Sequence, residues 1–245
     1  MSWKQTIQAD RESRADLTTV DIDQATMFEA SALNILANGL GARKSAERGV
    51  SMLGDERIIP MMSYGLVEYL MGLDLGDFDV LELGGGHSTE FWSQRVRSTL
   101  TFETDPEWLK VLASRGFPNT EIRASTAQTI AADMRALGRS FDAIIIDISA
   151  SRYACAKAAI PLLKPGGFIL LDNADWYPNT TQLLRAGGLI QVDFADFRPQ
   201  RWYRCVTSLF LHRDFQARPR YGRLPQPVIG GKDIAAVNDW DKIED

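Results

Sequence analysis

The sequence is poor in the residues that cross-link secreted proteins, with only two cysteines, Cys155 and Cys205, among 245 residues. Two cysteines make no disulfide framework, and a chain of this length can bury a sizeable core without one, so a cytoplasmic setting is expected. No apolar run approaches the roughly 20 residues of a membrane span, and residues 1–10 lack the apolar segment of a secretion signal. These absences exclude secreted, membrane and fibrous classes.

Positive residues are fewer than negative ones: 27 lysines and arginines stand against 32 aspartates and glutamates. The net charge is −5 and the isoelectric point lies near 5.2. This balance disfavours a general nucleic-acid binder. The charge is uneven, however: residues 1–79 carry a net −6, whereas residues 197–223 contain seven arginines and one aspartate. Within that basic segment, residues 197–204 alternate arginines with aromatic side chains. Such a pattern can dock a nucleic acid or an anionic substrate, but we interpret it as a solvated hairpin paired with the acidic remainder of the protein.

From residue 79 onward, short apolar runs alternate with stretches of helical length. The alternation predicts an α/β fold in which helices cover both faces of an open, doubly wound, mostly parallel sheet. After residue 188 the rhythm breaks, and two successive runs predict an antiparallel hairpin. The predicted strands are 80–83, 99–102, 120–122, 143–146, 168–171, 189–197 and 205–212, and the predicted helices are 88–97, 106–115, 127–137 and 153–163.

Both ends of the chain are expected to lie outside the sheet. Helical spacing of apolar residues predicts a helix from about Gln24 to Asn38 with Asp23 as its N-cap, and a second helix after Pro60. The proline-containing C-terminal end is expected to be an extended segment on the surface. The predicted divisions are a helical extension at 1–78, the sheet domain at 79–213 and the tail at 214–245.

The most informative segment is the glycine turn Gly84-Gly-Gly86, which follows the first predicted strand. Glycine allows a tight turn and lets a ligand approach main-chain N–H groups, and open sheets bind ligands at the carboxyl ends of their strands. The dinucleotide fingerprint Gly-x-Gly-x-x-Gly is incomplete, because Thr89 stands where the third glycine belongs. A nicotinamide-dependent dehydrogenase therefore stays open only as an alternative.

Acidic residues end three more of the predicted strands. Glu103 ends the second strand, where a carboxylate can accept both hydroxyls of a ribose. Asp147 ends the fourth strand, and Asp172 with Asn173 ends the fifth. Because the carboxyl ends of parallel strands share one edge, these residues should meet around the glycine turn.

The series Glu82-x-Gly84-x-Gly86, Glu103, Asp147 and Lys164-Pro-Gly-Gly167 resembles class I S-adenosylmethionine-dependent methyltransferases over about residues 58–212. The resemblance implies a seven-stranded sheet with an antiparallel last hairpin, and S-adenosylmethionine as the cofactor. It implies that Glu82 and the glycine turn frame the methionine part, that Glu103 binds the ribose, and that Asp147 lies near the methionine amine. Ser125 and Thr126 would flank the adenine, and the cofactor-binding residues would be Glu82, Gly84, Gly85, Gly86, Glu103, Ser125, Thr126 and Asp147.

A narrower resemblance is to the metal-dependent O-methyltransferases of the catechol and caffeoyl type. Asp147 is followed six residues later by Tyr153, and the fifth strand ends in Asp172-Asn173, as in those enzymes. The resemblance implies that Asp147, Asp172 and Asn173 would hold a magnesium-type ion. Two departures disfavour metal dependence: Ala150 stands where that family has a lysine, and the glycine loop differs.

We predict transfer of a methyl group from S-adenosylmethionine to an oxygen, or less favourably a nitrogen, of a small molecule. Asp147 is the first choice for the catalytic group, followed by Asp172, with His87 as a less favoured base. Trp176 and Tyr177 beside Asn173 could form an aromatic wall for a flat substrate, or belong to the core.

Three other readings remain open. An RNA or protein methyltransferase would dock its substrate on residues 197–204, a dehydrogenase would bind its dinucleotide at the glycine turn, and a binding module would hold the cofactor without catalysis. The N-terminal helices are expected to act as a substrate lid or as a dimer surface. Neither a nucleic acid nor a membrane is the expected partner.

Overall fold

The computed structural model describes residues 22–231, so the two outermost parts of the predicted extension and tail lie outside the described residues. The helices are α1 (Ile22–Asn34), α2 (Ala42–Arg48), α3 (Tyr64–Gly72), α4 (His87–Ser93), α5 (Pro106–Arg115), α6 (Ile130–Arg135), α7 (Arg152–Ala159) and α8 (Pro178–Ala186). The strands are β1 (Asp79–Leu83), β2 (Ser98–Glu103), β3 (Thr120–Ala124), β4 (Phe141–Ile146), β5 (Leu163–Leu171), β6 (Ile190–Asp196) and β7 (Cys205–Leu211).

The seven strands form one sheet in the order β3-β2-β1-β4-β5-β7-β6. The first five strands pair in parallel, and β7 pairs antiparallel with both β5 and β6. This confirms the predicted doubly wound sheet and its antiparallel last hairpin. Leu83 of β1 is in register with Phe102 on one side and with Ile146 on the other, so the residues that follow these strands meet at one edge.

The sheet is buried on both faces, because alternate residues of its central strands point into two different apolar clusters. Ile144 and Ile146 of β4 face one cluster, which includes Met134 of α6 and Cys155 of α7. Ile145 faces the other cluster, which contains residues of α3 and α4. The two cysteines are buried and free. Over residues 22–231, no helix combines the length and the apolar character that crossing a membrane requires.

The structure corrects several details of the N-terminal part. The first helix already includes Ile22, the first residue that the structure describes, so Asp23 lies inside the helix and is not its N-cap. Helix α3 begins only at Tyr64, because Ser63 has an extended backbone and its hydroxyl donates to the carbonyl of Phe194 on β6. Helix α2 was not predicted, since its sequence ARKSAER has no apolar stripe to signal it.

Two further differences concern the second half of the sheet. Helix α7 stops at Ala159, and β5 already begins at Leu163, so the segment expected as a helix end and a turn belongs to the sheet. Lys164 holds this end of β5 in place, because its ammonium binds Asp142 at 2.8 Å and Asp79 at 3.1 Å. Helix α8 was also missed, since it begins with the polar sequence PNTT.

The C-terminal segment up to Gly231 runs along α3. Asp74 donates its N–H to the carbonyl of Arg218 at 2.8 Å, and the guanidinium of Arg218 pairs with Asp77. Further along, Ile229 donates its N–H to the carboxylate of Glu68 at 2.6 Å. The residues contacted, Glu68, Asp74 and Asp77, all precede β1 in the sequence, whereas the glycine turn follows it. The carboxyl edge of the sheet is left to the site described next.

Candidate cofactor site

The glycine turn brings the ends of β1 and β4 into direct contact. Gly84 has a φ of +90°, and a Cβ atom there would lie 2.0 Å from the carbonyl oxygen of Asp147. A Cβ on Gly85 would lie 2.4 Å from Leu112 of α5. Any larger residue at Gly84 would therefore combine a left-handed backbone with a clash against the main chain. The turn is built so that backbone, not side chains, forms this part of the edge.

Glu82 supports the turn from inside the protein. It is fully buried, and its Oε2 accepts hydrogen bonds from the hydroxyls of Thr89 at 2.7 Å and Thr101 at 2.8 Å. Thr89 in turn accepts the N–H of Gly86 at 2.9 Å. Oε1 of Glu82 has no hydrogen-bond partner, and burial raises the pKa of the carboxyl to about 7. Glu82 is thus linked to the turn through Thr89.

Glu103 binds the turn directly from β2. Its Oε2 accepts the N–H of Gly85 at 2.9 Å, while its Oε1 accepts the N–H groups of Thr104 at 2.6 Å and Asp105 at 2.8 Å. A carboxylate offers about four acceptor positions, so one remains for a ligand hydroxyl. The predicted position of Glu103, at the end of β2 and against the glycine turn, is what the structure shows.

Ser125 and Thr126 follow β3, next to Glu103. The N–H of Ser125 donates to the carbonyl of Glu103 at 2.9 Å, and its hydroxyl donates to Asp133 at 2.6 Å. The hydroxyl of Thr126 lies 2.9 Å from that of Thr129. Both hydroxyls are therefore engaged within the loop that enters α6.

Asp147 follows β4, and a buried arginine holds it. Arg152 donates from Nη2 to Oδ1 of Asp147 at 2.9 Å and from Nε to the carbonyl of Ile148 at 3.2 Å. It also donates to the carbonyl of Asp172, and its guanidinium lies 4.7 Å from the ring centroid of Tyr177. Sequence reasoning missed Arg152, although its position one residue before Tyr153 in the first turn of α7 is a usable signal.

Asp172 and Asn173 are enclosed rather than open to a ligand. Asp172 has no exposed surface; its Oδ2 accepts from Nη1 of Arg198 at 2.9 Å and its Oδ1 from the hydroxyl of Thr207 at 2.6 Å. The Asn173 amide, oriented to satisfy this network, donates to Asp172 and accepts from Arg198, each at 2.9 Å. Burial and the charge of Asp147 raise the pKa of Asp172 to about 7.

The set Asp147, Asp172 and Asn173 therefore does not fit a magnesium-type ion. Both carboxylates are paired with guanidinium groups, and both oxygens of Asp172 are already used. No other group of three metal-ligating side chains occurs among the residues described. The same network corrects the prediction for residues 197–204 at Arg198 alone: this residue pairs with an acidic residue as expected, but it is 5% exposed, whereas Arg201, Trp202 and Arg204 are exposed.

A cavity of about 330 Å³ opens over the glycine turn. This volume lies within the roughly 300–1,000 Å³ of small-molecule sites. Residues 84–88 with Asp147 form one wall, the glycine-turn wall, and Gln200 and Arg201 of the β6–β7 loop, residues 197–204, form another. Its lining residues are Gly49, Met61, Gly84, Gly85, Gly86, His87, Ser88, Trp108, Asp147, Gln200 and Arg201.

His87 is half-buried in this cavity, where burial lowers the pKa of its imidazole. Trp108 of α5 donates its indole N–H to the carbonyl of Gly85 at 2.7 Å and so fixes the turn from outside. Sequence reasoning missed Trp108, Gln200 and Arg201 as lining residues. Of these, Trp108 could have been suspected from its place just after the acidic end of β2.

Trp176 and Tyr177 line a different cavity. It has about 810 Å³ and lies between α7 and α8, with Arg152 and Tyr153 on its other side. Trp176 is 56% exposed, so it is not part of the core. Asn173 is buried in the Asp172 network and does not join them, so the expected grouping of these three residues does not form.

Comparison with known proteins adds a family. Residues 81–174 match the sequence model of a family described as a methyltransferase domain. No curated protein matches the sequence significantly.

Among solved structures, the fibrillarin pre-rRNA processing protein of Methanococcus jannaschii is 17% identical, with a TM-score of 0.49 over 65% of this chain and 78% of its own. The O-methyltransferase TomG of Streptomyces achromogenes is 17% identical, with a TM-score of 0.46 over 60% of this chain and 76% of its own. At these TM-scores the similarities carry no argument about the substrate.

The cavity, the glycine backbone and the carboxylates Glu103 and Asp147 fit S-adenosylmethionine, which offers ribose hydroxyls and an amine to such acceptors. The family match covers β1 to the end of β5, which are the strands that carry these residues. The reading as a nicotinamide-dependent dehydrogenase is thereby set aside. Residues 81–174 thus match a methyltransferase domain, and the sheet order and the residues along its carboxyl edge are those that the resemblance to class I S-adenosylmethionine-dependent methyltransferases implies.

Proposed function

We propose that this chain methylates an oxygen of a small molecule that enters the cavity beside the glycine turn. The observation that carries the proposal is the meeting of His87, Asp147 and the glycine turn in one cavity of about 330 Å³. A cavity of this volume accepts a small molecule, or the reacting group of a larger one, but not the surface of a folded macromolecule. Gly49 and Met61 also line it, which supports a covering role for the N-terminal region.

The distribution of the basic residues favours a small molecule over RNA. Within the basic segment, Arg198 is buried against Asp172 and Arg218 is paired with Asp77. Arg204 donates to the carbonyl of Ala195. Two of the seven arginines of the segment are therefore paired with carboxylates of the chain itself, which removes part of the positive charge on which non-specific binding to phosphates depends.

The cofactor-binding residues divide by the part of the molecule they would hold. Glu103 would accept from a ribose hydroxyl through its remaining acceptor position, and Ser125 and Thr126 would flank the adenine. Asp147 would accept from the methionine amine, with Arg152 fixing the orientation of its carboxylate. Glu82 would keep the glycine turn in shape through Thr89. When bound, S-adenosylmethionine supplies an electrophilic methyl group.

His87 is the better placed base in this cavity. The carboxylate of Asp147 is paired with Arg152, and pairing with a cation weakens a carboxylate as a proton acceptor. Burial lowers the pKa of His87, so its imidazole is neutral near pH 7 and can take the proton that an acceptor hydroxyl loses as its oxygen bonds to the methyl carbon. Asp172 would have a structural role rather than a catalytic one, because both of its oxygens accept hydrogen bonds inside the protein.

Calorimetry with S-adenosylhomocysteine and with 5′-methylthioadenosine, which lacks the amino-acid group, tests the cofactor assignments. Asp147→Asn should weaken S-adenosylhomocysteine about 10–100-fold and leave methylthioadenosine unchanged, whereas Glu103→Gln should weaken both. Glu107→Gln is the matched control, because Glu107 is an exposed carboxylate in the first turn of α5, four residues after Glu103. Binding of NAD but of neither adenosyl compound would contradict the proposal.

The acceptor class is tested with methyl-labelled S-adenosylmethionine and a cell extract separated into small-molecule, RNA and protein fractions. Label should enter the small-molecule fraction and be lost from it when His87 is replaced by Gln. Label in RNA or protein instead would move the function to the second candidate, for which Trp202, 89% exposed beside Arg201 on the β6–β7 loop, is the specific observation.

A further inference from the structure

The β6–β7 loop is held in one conformation by contacts to distant parts of the chain. Arg198, at its beginning, is buried and binds Asp172. The side chain of Gln200 donates to the hydroxyl of Ser51 at 2.8 Å, although the two residues are 149 positions apart. Gln200 itself has a φ of +62°, which is unfavourable for a residue with a side chain. Non-glycine residues in such a conformation are concentrated at ligand sites.

The next residue, Arg201, lines the same cavity as Asp147 and the glycine turn. The contact that its guanidinium makes is a hydrogen bond to the carbonyl of Gln200 at 3.3 Å. Among residues 22–231, no carboxylate lies within ion-pair distance of Arg201; other arginines of the basic segment share this, but Arg201 is the one that lines the cavity. In a chain with a net charge of −5, a guanidinium without a carboxylate partner in a ligand cavity is a site for an anion.

We propose that Arg201 binds an anionic group, a carboxylate or a phosphate, on the acceptor molecule. This inference rests on the proposed function and adds the substrate class: a small hydroxylated molecule that carries a negative charge. The planar guanidinium can bind either anion through two parallel hydrogen bonds. Met61 and Trp108 supply apolar surface to the same cavity, which suits a carbon body between the anion and the hydroxyl.

The cofactor also carries a carboxylate, and a binding experiment separates the two anions. Arg201→Gln should change the affinity for S-adenosylhomocysteine less than about twofold, as it should for methylthioadenosine, which lacks that carboxylate. If Arg201→Gln weakens S-adenosylhomocysteine tenfold and leaves methylthioadenosine unchanged, the arginine binds the cofactor and the proposal is overturned. If the wild-type protein binds neither compound, the proposed function itself fails.

A matched pair of probes then tests the acceptor. The dissociation constants of 4-hydroxybenzoate and of the neutral 4-hydroxybenzyl alcohol are measured by NMR titration of the protein saturated with S-adenosylhomocysteine, with 4-hydroxyphenyl phosphate as a third probe to separate carboxylate from phosphate. The wild-type protein should prefer an anionic probe by about tenfold, Arg201→Gln should abolish the preference, and Arg204→Gln should retain it.

Two results would overturn the proposal. One is an equal affinity of the wild-type protein for the charged and neutral probes. The other is a preference for the anion that survives Arg201→Gln. A third measurement, titration with a single-stranded RNA oligonucleotide, covers the remaining alternative: if Arg201→Gln weakens RNA binding while the small probes do not discriminate, the loop is a nucleic-acid docking surface.

Discussion

Two walls of the cavity over the glycine turn are built by different means. The glycine-turn wall is local: β1, the turn and α4 are consecutive, and the close approach of Gly84 to Asp147 leaves no room for any other residue. The β6–β7 loop is held by side chains, with Arg198 bound to Asp172 and Gln200 bound to Ser51. A wall made of backbone should accept almost no substitution, whereas a wall made of side chains should accept substitutions and change its specificity through them.

The largest expected effect comes from breaking the glycine-turn wall. Gly84→Ala should lower the free energy of unfolding by about 4–5 kcal/mol or more, because the new Cβ would meet the carbonyl of Asp147 at 2.0 Å and the φ of +90° is unfavourable for alanine. Urea denaturation measures the loss. Gly86→Ala is the control: its Cβ would come no closer than 3.9 Å to a neighbour, so it should lose less than about 1 kcal/mol. Equal losses in the two variants would contradict the steric argument.

The next effect removes the anchor of the β6–β7 loop. Arg198→Met leaves the carboxyl of Asp172 buried without its cation, which should cost about 3–5 kcal/mol, because the group must either stay charged without a partner or take up a proton. Adding Asp172→Asn should recover part of this loss, since no charge then stays buried. Arg204→Met, which removes an exposed guanidinium from the same loop, should cost less than about 1 kcal/mol. A loss for Arg198→Met as small as that of the control would show that the ion pair does not anchor the loop.

The sequence predicted the glycine turn, Glu103 and Asp147 because each lies at the end of a strand that its own apolar pattern reveals. The residues that complete the site were not predictable in this way. Arg198 meets Asp172 across 26 positions and Gln200 meets Ser51 across 149, and no local pattern encodes such a pairing. The local sequence around Arg198 predicts an exposed side chain, because nothing in it shows that the buried carboxylate of Asp172 lies within reach.

The secondary structure shows the same difference between elements with a local sequence pattern and elements that depend on packing. All seven strands were predicted, and for β1, β2, β4, β5 and β7 the reason is that β-strands buried on both faces are nearly continuous apolar runs. The edge strands β3 and β6 are mostly exposed, and β5 begins five residues earlier than predicted. Helices α2 and α8 were missed, because their helical structure depends on packing rather than on an apolar stripe in the sequence.

A smaller effect concerns the charge beneath the glycine turn. The pKa of Glu82 is raised from 4.5 to about 7, so the folded protein binds more protons than the unfolded chain between these values, and stability must fall as the pH rises through this range. Glu82→Gln removes this contribution and should flatten the decline between pH 5 and pH 8 by about 2–3 kcal/mol. Asp172, whose pKa is also raised, keeps a residual slope of the same sign.

Unfolding in urea at several pH values, with Glu107→Gln as an exposed control, measures the difference. A slope that Glu82→Gln leaves intact would mean that Glu82 is ionised in the folded protein throughout. If the free energy of unfolding fell more steeply with pH in Glu82→Gln than in the wild-type protein, the raised pKa of Glu82 would be contradicted.

The smallest expected effect is Gln200→Gly, the reverse of the first substitution. Glycine adopts a φ of +62° without steric cost, but it loses the hydrogen bond to the buried hydroxyl of Ser51; each change is worth about 1 kcal/mol and they oppose one another. The free energy of unfolding should therefore shift by less than about 1 kcal/mol, while Ser51→Ala, which removes only the hydrogen bond, should lose about 1 kcal/mol. If Gln200→Gly were as damaging as Gly84→Ala, the backbone of the β6–β7 loop would be as constrained as the glycine turn, and the two walls would not differ in kind.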